Sequence, residues 1–229
     1  MYQIADNLLS VKDRIEKAAL RAGRNPDEVK LVVVSKTVGV EKVREAISAG
    51  ATILGESYVQ EAKEKIEEIG REVQWHMIGH LQTNKVKQTI NLFDMIHSVD
   101  RISLAEEIDK RTKQSGKRIS VLIQVNISRE ATKSGIERDR AISLVSEIAN
   151  FTNIKVEGLM TMPPYFADPE DARPYFKALR GLKEKIEFEG FENVSMKELS
   201  MGMSNDFEIA VEEGATIVRV GTAIFGERL

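Results

Sequence analysis

Hydrophobic positions along the chain follow two alternating rhythms. Through residue 22, Ile4, Leu8, Val11, Ile15, Ala18 and Ala22 recur at three- and four-residue steps, the signature of one helix face. Gly23 and Pro26 break that pattern. LVVVSK (31–36) then runs apolar without alternation, as expected of a strand buried on both faces. VEKVREAISAG returns to helical spacing and ends on a glycine suited to a helix C-cap. The unit repeats. ATILG precedes a helix burying Val59, Ala62, Ile66 and Ile69, VQWHMIG (73–79) precedes a helix near 83–91, and DMIHSVD (94–100) precedes one carrying Ile102, Ala105 and Ile108. ISVLIQVNI (119–127) leads to a helix near 138–150, and IKVEGLMTM (154–162) to one near 170–189. VSMKELSMG (194–202) leads to NDFEIAVEEG, and ATIVRVG (215–221) closes the series.

Eight strand candidates, each followed by a helix or the chain end, predict a single (β/α)8 TIM-type barrel over residues 1–229, with an extra N-terminal helix. An open doubly wound sheet is the alternative, since periodicity alone does not separate the two. No linker-like stretch divides the chain. MPPYFADPEDARP (162–174) is turn-rich but sits where a loop after strand six belongs.

Composition narrows the function classes. Lys and Arg number 33 against 36 Asp and Glu, so the net charge of −3 gives no footprint for nucleic acid or an anionic membrane. With no cysteine, disulfides and thiolate chemistry are excluded. No apolar run approaches the ~18 residues of a bilayer span. The opening segment lacks the apolar core of a signal peptide, so a soluble cytoplasmic protein is expected. No heptad seam can be read, and a monomer is the expectation.

Lys36 follows LVVVS at the carboxyl end of the first strand, where a partly dry barrel mouth would favour the neutral, nucleophilic amine. The plainer alternative is a strand-end lysine reaching solvent. SMGMS (200–204) and RVGT (219–222) end strands seven and eight, where barrels commonly hold phosphate. Asp206 and Glu208 weigh against that reading, because their charge would repel a phosphate. Alternation puts Ile217, Arg219 and Gly221 on one face, and Arg219 must find an acceptor or a structural ion pair. His76 and His80 are spaced by four but straddle a strand end and a loop, a weak metal pattern. Lys63, Lys65, Lys85, Lys87 and Lys133 read mostly as solvated helix-face charges.

VVVSK, GESYVQEAKEK, QWHMIGHLQTNK and SMGMSNDFEIAVEEGATIVRVGTAIFG together resemble the YggS/PROSC family of pyridoxal-phosphate-binding proteins, in order and over nearly the whole chain. The resemblance implies a barrel like the N-terminal domain of alanine racemase, without that enzyme's second domain. It implies pyridoxal 5′-phosphate held as a Schiff base on Lys36, with Ser204, Gly221 and Thr222 at the phosphate and Met203 completing the cup wall. Arg219 would face the pyridine nitrogen. Two positions depart from the family pattern. Ser57 stands where an asparagine is usual, and SKTVGV lacks the usual proline after the lysine. Ser57 and His80 complete the candidate site.

The function implied is intracellular vitamin B6 homeostasis without catalytic turnover, with apo pyridoxal-phosphate enzymes as recipients. A single-domain amino-acid racemase is the alternative. It needs a second acid/base near Lys36, for which His80 is the candidate if its loop folds inward, with Tyr58 and Tyr165 as weaker ones. A cofactor-free aldolase acting on a phosphosugar through Lys36 is the third reading.

Overall fold

The computed structural model describes residues 3–130 and 133–227. Helix α1 (Gln3–Arg21) precedes β1 (Lys30–Val34), α2 (Val40–Ser48), β2 (Ile53–Glu56), α3 (Val59–Ile69), β3 (Gln74–Met77), α4 (Val86–Leu92), β4 (Met95–Val99) and α5 (Ile102–Gln114). Then come β5 (Ile119–Asn126), the two-residue β6 (Ile136–Glu137), α6 (Ala141–Ile148), β7 (Ile154–Met160), α7 (Arg173–Glu189), β8 (Val194–Ser200), α8 (Phe207–Glu212), β9 (Ile217–Val220) and α9 (Thr222–Phe225).

All strand pairings are parallel, and the order β4-β3-β2-β1-β9-β8-β7-β5 closes through a β4–β5 pairing. This is the closed eight-stranded barrel that the sequence predicts, and the open-sheet alternative is excluded. β6 lies outside the ring, paired with the end of β5. The helix near 83–91 divides into a short 3-10 turn (Thr83–Lys85) and α4.

Alternation along each strand sorts side chains into two layers. Val32, Val34, Ile53, Ile78, Leu122, Met160 and Ile217 fill the barrel interior, while Val33, Leu54, Val218 and Val220 face the helices. Burying each such side chain contributes roughly 1.5–3 kcal/mol.

Helix α1 buries Ile4, Leu8, Val11, Ile15 and Ala18 and packs against α8 and α9. Its polar edge reaches the same elements. Arg14 and Arg21 both pair with Glu208, and the Arg14 guanidinium lies 4.5 Å over the Phe207 ring. The N-terminal helix thus braces the elements that follow the last two strands, next to the barrel mouth.

Candidate functional site

At the carboxyl ends of the strands a cavity of about 640 Å³ opens to the surface. It gathers Lys36, Ser57, Met203, Ser204, Arg219, Gly221 and Thr222, residues that lie up to 186 positions apart (222 − 36). His80 is not among them. It follows β3 on an exposed loop, its Nδ1 3.8 Å from Asp100 Oδ2, outside the lining of this cavity. The loop after β3 does not fold inward, because Leu81, next to His80, is buried in the helix-facing core. Of the loop tyrosines, Tyr165 lines the cavity mouth and Tyr58 does not.

Lys36 stands two residues beyond β1, partly buried. The two glycine loops meet at Ser204. Its Oγ accepts N–H groups from Gly221 (3.4 Å) and Ala223 (3.2 Å), which ties the β8 loop to the start of α9. Gly202 permits the tight return into α8. Its φ is +89°, and a Cβ there would sit 2.5 Å from Ala210 Cβ and 2.9 Å from Phe207 Cα.

Of the two carboxylates that weighed against an anion site, Glu208 is turned away to Arg14 and Arg21, and Asp206 lines the cavity. Asp206 is buried and accepts the Met203 N–H at 2.6 Å, closing the loop from beneath. Burial pushes its carboxyl up, against the opposing pull of the Met203 N–H and the Arg219 charge.

Arg219 is 4% exposed yet reaches the cavity. Nη1 donates to Ser200 Oγ (2.6 Å) and Nη2 to the Thr161 carbonyl (2.9 Å). These are acceptors without charge, rather than the ion pair that the sequence also allowed. Burial lowers its pKa to about 10, so it stays charged at neutral pH. Behind it Ser200 Oγ lies 3.0 Å from His97 Nδ1, and His97 Nε2 lies 3.0 Å from His76 Nδ1.

An arginine can only donate, so Ser200 Oγ accepts there, and the direction of the Ser200–His97 and His97–His76 hydrogen bonds follows the tautomers of the two rings. Desolvation lowers His76 to about 4 and takes His97 well below its usual range, so both rings are neutral. Sequence reasoning missed Ser200, Thr161, His97 and His76 as supports. The even spacing of Ser200 and Gly202 on one strand face was the available signal.

The rim is apolar. Met162, Pro164, Tyr165, Phe166 and Pro169 form one wall, held to the opposite loop by Asn205 Nδ2 donating to the Phe166 carbonyl (3.0 Å). Among the described residues no His, Asp or Glu group is arranged to hold a metal. The cavity lining combines a lysine with the hydroxyl and amide groups of the loops after β8 and β9. It suits a molecule with a carbonyl at one end and an anion at the other.

The family model described as "Alanine racemase, N-terminal domain" matches residues 7–229. The pyridoxal phosphate homeostasis protein of Aquifex aeolicus is 48% identical over 97% of both chains. That of Escherichia coli K12 is 40% identical, covering 100% of this chain and 98% of its own. Among solved structures, PipY of Synechococcus elongatus PCC7942, determined with PLP bound, superposes with a TM-score of 0.84 at 32% identity, covering 98% of this chain and 100% of PipY. A closed barrel, matched over nearly its whole length by the family model and by such relatives, places this chain in the alanine racemase N-terminal domain family and, within it, among the pyridoxal phosphate homeostasis proteins.

Proposed function

We propose that the chain holds pyridoxal 5′-phosphate as a Schiff base on Lys36 and serves vitamin B6 homeostasis, storing and releasing the cofactor rather than turning over a substrate. The observation that carries this reading is one cavity combining a lysine just past β1 with the hydroxyl and N–H groups of the loops after β8 and β9. The names of the relatives and the PLP bound to PipY support the same ligand.

When bound, the cofactor supplies an aldehyde that condenses reversibly with an amine, forming C=N as the carbonyl oxygen leaves as water. Lys36 provides that amine. Met203, Ser204, Gly221 and Thr222 would hold the phosphate, Ser57 would line the adjoining wall, and Arg219 would face the ring nitrogen. An arginine there, still charged at neutral pH, would leave that nitrogen unprotonated and weaken the electron withdrawal on which carbanion chemistry depends. The open rim favours exchange with solvent or with a recipient apo-enzyme. Cytoplasmic residence and a monomeric state belong to the same proposal. Among the described residues no helix is long and apolar enough to cross a membrane.

Purified protein loaded with the cofactor should be yellow. Borohydride should bleach it and fix the added mass on the Lys36 peptide, and Lys36→Ala should abolish both. A colourless wild-type protein overturns the proposal and revives the aldolase reading. Tyr165 at the cavity mouth is the one observation favouring a racemase. Loaded protein incubated with single amino-acid enantiomers should show no racemisation above background.

A further inference from the structure

Lys36 is flanked on both sides by residues tied to one buried ionic cluster. On its N-terminal side Ser35 is fully buried. Its N–H donates to the Gly55 carbonyl (3.0 Å) and its Oγ to Glu56 Oε1 (2.7 Å), while its carbonyl accepts from Lys65 Nζ. On the other side Thr37 adopts φ +60°, a left-handed conformation costly for a β-branched residue, and its N–H donates to Glu61 Oε1. The two carboxylates meet at Lys65, whose Nζ lies 2.8 Å from Glu56 Oε1 and 2.7 Å from Glu61 Oε1. Lys65 is 4% exposed and Glu56 fully buried, with Glu56 Oε2 lacking any hydrogen-bond partner.

Lys65 is therefore not the solvated helix-face charge that its sequence context suggests. Burying a lysine with two carboxylates is a poor way to gain stability, because desolvation offsets most of the attraction. Such a cluster makes sense where it fixes a geometry. Every fixed contact here lands on the residue before or the residue after Lys36. The GESYVQEAKEK segment supplies all three charged groups, with Glu56 at the end of β2 and Glu61 and Lys65 one turn apart on α3.

We propose that Glu56, Glu61 and Lys65 are positioning residues that lock the peptide planes on either side of Lys36 and so aim its amine into the cavity. This rests on the Schiff-base reading above. Without the lock, Thr37 relaxes from its left-handed conformation and the Lys36 stem samples directions away from the cavity. The phosphate cup, built on other strands, is unaffected.

The test is the rate of Schiff-base formation when apo-protein is mixed with increasing pyridoxal 5′-phosphate, followed by absorbance. Saturation of that rate separates the docking constant from the covalent step. Glu61→Ala should slow the covalent step about tenfold while the docking constant stays near wild type, with a lower melting temperature because buried Lys65 loses one of its two carboxylates. Glu61→Gln, whose amide oxygen still accepts the Thr37 N–H, should restore the rate to within about twofold. If Glu61→Ala does not fold, Ser35→Ala, which removes only one hydroxyl contact to Glu56, should slow the step about threefold. A wild-type covalent rate in the folded variant overturns the inference, and so does an equal loss in the docking constant. If wild-type protein itself forms no Schiff base, it is the proposed function that fails instead.

Discussion

His97 Nε2 and His76 Nδ1 lie 3.0 Å apart in the barrel interior, both rings buried, on adjacent strands β4 and β3. The pair links the strands opposite Arg219 to its own support, since Ser200 bridges His97 and the guanidinium.

That linkage makes stability depend on pH. Desolvation lowers His76 from 6.5 to about 4 in the folded state. Between those values the unfolded chain takes up a proton that the folded one refuses, so stability falls as pH falls through that window. His76 alone should account for roughly 3 kcal/mol by pH 4, and His97 adds in the same direction. Urea melts at pH 7 and pH 5 should show the loss, and His76→Gln should flatten it. Equal midpoints for wild-type protein at both values would contradict the assignment of neutral rings.

Arg219→Ala should speed cofactor release about tenfold, equivalent to about 1.4 kcal/mol, without preventing Schiff-base formation. Arg219→Lys should not rescue retention, because one ammonium cannot reproduce the planar fork that reaches both Ser200 and the Thr161 carbonyl. Loss of colour during timed dialysis measures both variants. An alanine variant unable to form the Schiff base at all would contradict the role given to Arg219.

Ser204→Ala leaves the Gly221 and Ala223 N–H groups without their shared acceptor. Its affinity for pyridoxal 5′-phosphate should fall about tenfold, while affinity for pyridoxal, which lacks the phosphate, should stay unchanged. Parallel titrations with the two aldehydes decide the matter. An equal loss for both would place the phosphate elsewhere.

Gly202→Ala should destabilise the barrel by about 2–3 kcal/mol and weaken the phosphate grip, since a methyl there meets Ala210 and Phe207 in a backbone conformation that disfavours it. Gly226→Ala is the control. Its φ of +83° is similar, but no atom lies within 4 Å of the added carbon, so only a conformational cost of ~1 kcal/mol remains. Chemical denaturation of the two variants gives the difference directly.

The parts of this architecture that depend on local pattern were legible in the chain. The unbroken apolar run before Lys36 marked a doubly buried strand, and alternation placed Arg219 with Ile217 inside the barrel. What depends on closure was not legible. His97 and Ser200 are 103 positions apart, and nothing local to either announces the other. Lys65 looked like a surface charge because helical spacing says which face it occupies but not that the β1 loop covers that face. Glu208 looked like a threat to an anion because the chain order hides Arg14, 194 positions away.

Strands β1 and β9 are hydrogen-bond partners, with Lys30 beside Ile217 and Val33 beside Val220. The barrel therefore shuts only when two strands paired across 187 positions, Lys30 to Ile217, zip together. Until that seam forms, Lys36 stands apart from Arg219 and the β9 half of the cavity. On the function proposed above, capture of the cofactor requires the closed ring, and the return of colour during refolding would report closure of this seam.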